Sequence, residues 1–212
     1  MYFKGFERHS AFAKRQGARY ILTMIAKVVI LAGGEGKRMG GHKPFAPYGH
    51  STLIEAAMAR LKPQTREIVI NAGAPGTPLA LPLSCLDARL IFDELTGLGP
   101  LSGVLSALDM AKTDGDTSVI TTPCDMPHLP FDMVAQLLAA PPADVVYFKG
   151  ARDYPLCALW QVSLAADLRD ALKKAEGGLA VMRFLATLKT GHIAVSDDAA
   201  FTNINHPPLA PG

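Results

Sequence analysis

The stretch that most constrains this chain is an apolar run followed directly by a glycine-rich loop that carries three cations. The residues concerned are Val28 to Leu31, then Gly33, Gly34, Gly36, Lys37, Arg38, Gly40, Gly41 and Lys43. The apolar run predicts a buried strand, and an open α/β sheet binds ligands at the carboxyl ends of its strands. Glycine lets backbone N–H groups approach a ligand that a Cβ would hold away. With the cations, the loop predicts an anionic ligand such as a phosphate chain.

From Met24 onward, strand-like and helix-like segments alternate, which is typical of a layered α/β sheet. The predicted strands are 28–31, 67–71, 90–92, 117–122, 144–149, 155–160 and 192–196. One predicted helix starts at Ser51 or Thr52, where Glu55 completes a capping box, and a second starts at the turn 97–103. Three more predicted helices cover 131–140, 164–175 and 179–188. This pattern predicts an α/β fold with three layers, α/β/α, around a mostly parallel, Rossmann-like central sheet.

The first 23 residues differ from the rest in charge, with five Lys or Arg residues against the single acid Glu7. No long apolar segment precedes a small-residue cleavage site, so we do not expect a secretory signal. A transit-like segment and a true start at Met24 both stay open. We expect 1–23 to be a basic extension outside the fold, and 24–208 to form one domain.

Composition excludes several classes of function. Apolar residues make up 49% of the chain and charged residues 19%, which indicates a globular protein rather than a disordered one. A net charge of +2 argues against a dedicated nucleic-acid surface, and no apolar stretch reaches the ~20 residues that span a bilayer. Three cysteines without C-x-x-C spacing predict neither a disulfide framework nor a structural zinc site. We therefore expect a cytoplasmic protein with no nucleic-acid or membrane partner.

Three predicted strands place chemistry at the same edge of the sheet. Parallel strands share their carboxyl edge, so the glycine loop, Asp93 and Asp125 should meet there. The loop is not a Walker A motif, because Arg38 follows Lys37 where Ser or Thr is required. It is not a Rossmann fingerprint either, because Gly40 comes one residue late. A nicotinamide enzyme and a solvated glycine turn are the weaker alternatives.

A cationic loop with convergent carboxylates suits transfer of a nucleotidyl group. If a phosphate of an acceptor attacks the α-phosphorus of a nucleoside triphosphate, the protein must position two polyanions and offset their repulsion. We predict that Lys43 and Arg38 supply part of this compensation and backbone N–H groups of the loop another part. A Mg²⁺ held by Asp125, alone or with Asp93, supplies the rest. Unit like charges 4 Å apart repel by about 4 kcal/mol at an effective dielectric of 20, so compensation is required.

Five segments carry a family resemblance: LAGGEGKRMGGHK, INAG, FDELTGLGPLSG, PCDMPHLP and FTNINHP. From about 24 to 208 the chain resembles the molybdenum cofactor guanylyltransferases. The resemblance implies a nucleotide-diphospho-sugar transferase type of fold, with a nucleotide-binding half 24–125 and an acceptor-binding half 126–208. It implies a nucleotide site formed by Leu31, Ala32, Gly33, Gly34, Lys43, Asn71, Asp93 and Asp125. Within that site, it implies that Asp125 is the metal ligand. It places the acceptor near Arg152, Asp153, Asn203 and Asn205.

The implied activity is transfer of GMP from GTP to molybdenum-bound molybdopterin, with release of pyrophosphate. GTP and molybdenum-molybdopterin are then the substrates, and molybdenum-insertion proteins and molybdoenzyme chaperones are expected protein partners. Three alternatives stay open: a relative that uses CTP, an enzyme acting on a sugar or polyol phosphate, and a GTP-binding cofactor chaperone without activity. Arg152 with Asp153 could instead form a surface ion pair, and Asn203 with Asn205 could merely turn the chain.

The chain departs from the family loop in one place. The family loop usually carries an acid directly before the lysine, whereas His42 stands before Lys43 here. The loop is one residue shorter, which leaves Lys43 as the predicted phosphate ligand with an altered reach.

Overall fold

A computed structural model describes residues 26–34, 42–175, 177–195 and 197–204. Its strands are β1 Lys27–Leu31, β2 Pro47–Tyr48, β3 Ser51–Thr52, β4 Glu67–Asn71, β5 Arg89–Ile91, β6 Ser118–Pro123, β7 Val145–Lys149, β8 Asp153–Gln161 and β9 Thr190–Ala194. Its α-helices are α1 Leu53–Leu61, α2 Ala80–Ser84, α3 Pro100–Thr113, α4 Met133–Ala139, α5 Ala165–Lys174 and α6 Val181–Leu185. Predictions that concern 1–23, Arg38 and Asn205 lie outside the described residues.

The large sheet has the strand order β5-β4-β1-β6-β8-β7-β9. Its pairs are parallel except where β8 runs against β6 and β7. The chain leaves β1 for β4 on one side and later crosses back to β6 on the other. The gap between the ends of β1 and β6 is therefore a topological switch point, where open α/β sheets bind ligands.

Helices cover both faces of the sheet, and β1 shows why. Val28 and Ile30 face a core shared with α1, α2 and α4, whereas Val29 faces a second core shared with α3, α5 and α6. All three are fully buried, as expected for a central parallel strand with no solvent face. The predicted three-layer α/β/α fold is confirmed.

The predicted elements are largely found, with shifted ends. Thr52 is the N-cap of α1, and Glu55 completes the predicted capping box. The helix predicted over 179–188 covers only Val181–Leu185. Thr187 explains part of the difference, because its hydroxyl donates a hydrogen bond to the Phe184 carbonyl at 2.7 Å and favours a turn over another helical residue.

The amino edge of the sheet carries a network of charges around Lys27. This side chain is 5% exposed, and its Nζ lies 2.5 Å from Asp114 Oδ2 and 2.8 Å from Asp116 Oδ2. Burial alone would lower the pKa of Lys27, but the bonds to the two aspartates outweigh burial and raise that pKa above its ordinary value. The network ties β1 to the turn after α3, on the edge opposite the switch point. Within the described residues, no helix is both long and apolar enough to cross a membrane.

Candidate nucleotide-binding site

Strand register builds a cleft at the switch point. Leu31 at the end of β1 pairs with Asn71 on one side and Pro123 on the other, and Asn71 also pairs with Ile91. Residues two positions beyond this row therefore emerge together at the carboxyl edge. The cleft there measures about 590 Å³. Eight residues predicted for the nucleotide site line it: Leu31, Ala32, Gly33, Gly34, Lys43, Asn71, Asp93 and Asp125.

Two glycines let neighbouring loops touch at the floor of the cleft. A Cβ added to Gly33 would lie 2.2 Å from Gly73 Cα, far inside van der Waals contact. Gly73 has φ +78°, a backbone conformation that favours glycine. The Ala32 N–H donates to the Asn71 carbonyl at 2.9 Å and continues the pairing past the strand ends. The backbone at Ala32 and Gly33 therefore packs directly against the backbone at Asn71 and Gly73.

Lys43 and Asp125 meet across the cleft. Lys43 begins a 3₁₀ turn, Lys43–Phe45, and Asp125 follows β6 by two residues. The Lys43 ammonium donates to Asp125 Oδ2. Asp125 is 5% exposed, and its Oδ1 is buried without a hydrogen-bond partner in the described ranges. A buried carboxylate oxygen without a partner is costly, so this atom marks a place for a positively charged ligand.

Asp93 is held on the opposite side of the cleft by two donors. The Asn71 amide donates to Asp93 Oδ1 at 2.8 Å, and the Ser106 hydroxyl lies 3.2 Å from the same oxygen. Burial raises the pKa of Asp93 above its ordinary value, while both hydrogen bonds act in the opposite direction. Asn71 is only 2% exposed, and the hydrogen bond described for its side-chain amide goes to Asp93.

Three of the predicted acceptor residues, Arg152, Asp153 and Asn203, lie at the same edge, beyond β6. Arg152 and Asp153 stand at the turn between β7 and β8 and do not pair with each other. The Arg152 guanidinium donates to the Phe201 carbonyl at 3.4 Å, and Asp153 lies 3.4 Å from the Lys149 ammonium. Asn203 is half-buried, and its Oδ1 has no hydrogen-bond partner in the part of the chain that the structure describes. Contact of these residues with a substrate stays a prediction.

Cys124 lines the cleft without chemical activation. It is 6% exposed, and burial raises the pKa of its thiol to about 12. This geometry suits a packed apolar residue and not a nucleophile.

A family model described as a MobA-like NTP transferase domain matches residues 28–192, which is more than half of the chain. The chain belongs to this family. A molybdenum cofactor guanylyltransferase from Cereibacter sphaeroides is 40% identical over 181 residues, covering 84% of this chain and 90% of the relative. One from Rhodobacter capsulatus is 36% identical over 182 residues, with 84% and 90% covered.

A solved structure shows the same fold. It is molybdopterin-guanine dinucleotide biosynthesis protein A from Archaeoglobus fulgidus, with a TM-score of 0.71 and 24% identity, and 85% of this chain and 93% of that chain are covered. This chain is therefore an NTP transferase with the MobA-like architecture, and its nucleotidyltransferase class is as predicted.

Membership of a nucleotidyltransferase family indicates a requirement for a divalent metal, and the cleft can be tested for one. Hard divalent cations prefer oxygen ligands, and the unpartnered Oδ1 of Asp125 is such an oxygen. The described residues contain no group of three or more His, Cys, Asp or Glu side chains that could hold a metal unaided. This MobA-like site thus fits a cation that is bound by one carboxylate and by the phosphates of a nucleotide.

Sequence reasoning missed three residues that shape the MobA-like site. Ser106 holds Asp93, and Gly103 leaves room for the Asn71 amide, since a Cβ there would lie 2.8 Å from Asn71 Oδ1. A polar residue on the apolar stripe of α3 was the signal for Ser106. Asp198 accepts the Ala151 N–H at 3.1 Å and the hydroxyl of Tyr154, and so fixes the β7–β8 turn. Nothing local in the sequence indicates that bond.

Proposed function

We propose that this protein transfers GMP from GTP to molybdenum-molybdopterin, forming molybdopterin guanine dinucleotide and pyrophosphate. The observation that carries the proposal is the buried Asp125, with one oxygen bonded to Lys43, in a cleft that Gly33 and Gly34 line. The 40% identity to a guanylyltransferase that spans 84% of the chain supports guanine as the base.

The reaction would be an in-line displacement at phosphorus. A phosphate oxygen of the acceptor forms a bond to the α-phosphorus, and the bond from that phosphorus to the bridging oxygen of the β-phosphate breaks. Lys43 offsets charge on the phosphates, while backbone N–H groups near Gly33 and Gly34 hold the nucleotide. Arg38 would add a second cation from the same loop. No protein nucleophile is needed, because positioning and charge compensation supply the catalysis.

Asp125 would hold Mg²⁺, which would act as a Lewis acid on the phosphate oxygens. When GTP binds, the ammonium of Lys43 can turn from Asp125 Oδ2 to a phosphate, since its long side chain is flexible. The carboxylate then has both oxygens available to a cation. The pairing of Lys43 with Asp125 would thus keep the site charge-balanced before the nucleotide arrives.

The two halves of the chain would divide the substrates between them. Asn71 and Asp93 would bind the nucleoside of GTP on the β4–β5 side. The molybdopterin substrate would lie over β6, β8 and β7, near Arg152, Asp153, Asn203 and Asn205. Molybdenum-insertion proteins and molybdoenzyme chaperones remain proposed partners, and the three unpaired cysteines suit the proposed cytoplasmic location.

The test is to mix the protein with GTP or CTP, Mg²⁺ and molybdenum-loaded molybdopterin, and to identify the dinucleotide and the pyrophosphate released. We expect the guanine dinucleotide. A cytosine dinucleotide would contradict the assignment of guanine as the base. GTP binding without release of pyrophosphate would indicate a nucleotide-binding protein without transferase activity.

Two variants sharpen the test. Asp125→Asn should lower turnover by about 10²–10³-fold, the usual effect of losing one charge-stabilising group, with the fold retained. Asp87→Asn is the matched control, because its carboxylate is almost fully exposed and, among the described residues, pairs only with exposed Lys62 at 3.5 Å. Equal turnover in the two variants would overturn the assignment of Asp125. Lys43→Ala should weaken GTP binding in the same assay.

A further inference from the structure

Helix α3 carries two buried serines beside Gly103, which lines the cleft, and the proposed reaction does not yet use either serine. Ser102 and Ser106 are one turn apart, and Gly103 lies between them on the same side. Ser102 is 2% exposed and Ser106 is 9% exposed. Serine in a buried helix interior is unfavourable unless its hydroxyl has a hydrogen-bond partner, and the two serines differ in this respect.

Ser106 has such a partner in Asp93. Its single hydroxyl proton can reach Asp93 Oδ1 at 3.2 Å or the Ser102 carbonyl at 3.1 Å. A hydrogen bond to an ionised acceptor is about twice as strong as one to a neutral acceptor, so the carboxylate takes the proton when it is charged. The Ser102 hydroxyl, by contrast, has no hydrogen-bond partner among the described residues.

Both donors to Asp93 act on one oxygen. The Asn71 amide at the end of β4 and the Ser106 hydroxyl on α3 converge on Oδ1. Gly103 makes this convergence possible, since its lack of a Cβ lets α3 approach the Asn71 side chain. A carboxylate held at one oxygen has a fixed orientation, and Asp93 lines the cleft.

We propose that Ser106 is a positioning residue of the nucleotide site: together with Asn71 it fixes Oδ1 of Asp93, so that the other carboxylate oxygen accepts an O–H or N–H of the nucleoside. This inference rests on the proposed function, because it assumes that the cleft binds a nucleoside triphosphate. Ser106 acts only through Asp93 and does not itself contact the nucleotide.

The test compares Ser106→Ala with Ser102→Ala, two buried serines on one helix that differ in their partner. We expect Ser106→Ala to weaken GTP binding about ten- to a hundredfold, the usual effect of losing a hydrogen bond to a charged group, and Ser102→Ala to leave GTP binding unchanged. In the Asp93→Asn background the same Ser106 substitution should add little, because its partner charge is gone. Equal binding by the two serine variants would overturn the proposal.

A pH series separates positioning from a general loss of structure. The Ser106 bond favours the ionised form of Asp93, so its removal raises the pKa of Asp93 further. The pH below which GTP binding weakens should therefore move upward in Ser106→Ala and not in Ser102→Ala. Titration of GTP itself is common to all variants and cancels in the comparison. If the unmodified protein binds no GTP, the proposed function is wrong. If it binds GTP, but the pH below which binding weakens is the same in Ser106→Ala as in the unmodified protein, only the role of Ser106 is wrong.

Discussion

Substituting Gly33 by alanine should destabilise the protein far more than the size of one methyl group suggests. The added Cβ would lie 2.2 Å from Gly73 Cα and 2.3 Å from Gly73 N. Both neighbours are backbone atoms, so no side chain can turn away. The backbone segments of Gly33 and Gly73 would have to separate by roughly 1.5 Å to reach ordinary contact.

That separation strains the backbone bonds on either side. The Ala32 N–H bond to the Asn71 carbonyl measures 2.9 Å, and the Asp93 N–H bond to the Gly73 carbonyl measures 2.8 Å. Overpacking costs about 2 kcal/mol and each lost hydrogen bond about 1 kcal/mol, so we expect a loss of about 4 kcal/mol. This is a large share of the total stability of an ordinary domain, which is about 5–15 kcal/mol.

Urea unfolding followed by the fluorescence of Trp160, the single tryptophan and fully buried, measures this loss. With a slope of about 2 kcal/mol/M, the midpoint should fall by about 2 M. Gly34→Ala is the matched control, because a Cβ there meets no atom of the described residues within 4 Å. If Gly33→Ala unfolds at the same urea concentration as Gly34→Ala, the argument from close backbone approach is wrong.

Two further predictions concern buried groups. Lys27→Met should cost about 1.5–3 kcal/mol in the same urea assay, because it removes the buried cation from Asp114 and Asp116 and leaves them with the partly exposed Arg89 and Arg66. Lys62→Met, which breaks an exposed pair, should cost under about 1 kcal/mol, and similar losses in the two variants would contradict the network. Iodoacetamide at about pH 8 should label Cys85 alone in the folded protein, because burial raises the pKa of Cys124 and of Cys157 to about 12; mass spectrometry that finds either buried thiol labelled would refute this.

The sequence was sufficient to predict the fold and the meeting of the glycine loop with Asp93 and Asp125. The reason is that an apolar run marks a buried strand, and parallel strands necessarily bring their carboxyl ends to one edge. The same reasoning could not predict that β8 runs against its neighbours. Strand direction depends on where the chain returns to the sheet, and no local residue pattern encodes that.

Site details that depend on contacts between distant segments also escaped prediction. The bond from Ser106 to Asp93 requires the packing distance of α3, which Gly103 sets through the absence of an atom. Asp198 acts on a turn 47 residues earlier in the chain. Such bonds are set by tertiary geometry, so sequence spacing alone does not reveal them. The roles of the predicted site residues in binding substrates remain predictions.

One backbone hydrogen bond near the cleft joins two segments that the ribosome makes at widely separated times. The carbonyl of Asp125 accepts the N–H of Ile204 at 2.9 Å. Ile204 is synthesised roughly 80 residues after Asp125, which takes on the order of 4–16 s at 5–20 residues per second. The strands that carry the glycine loop, Asn71 and Asp93 are complete well before that. A nascent chain can therefore form the nucleotide side of the cleft first, while the loop of Asp125 gains its last support near the end of synthesis.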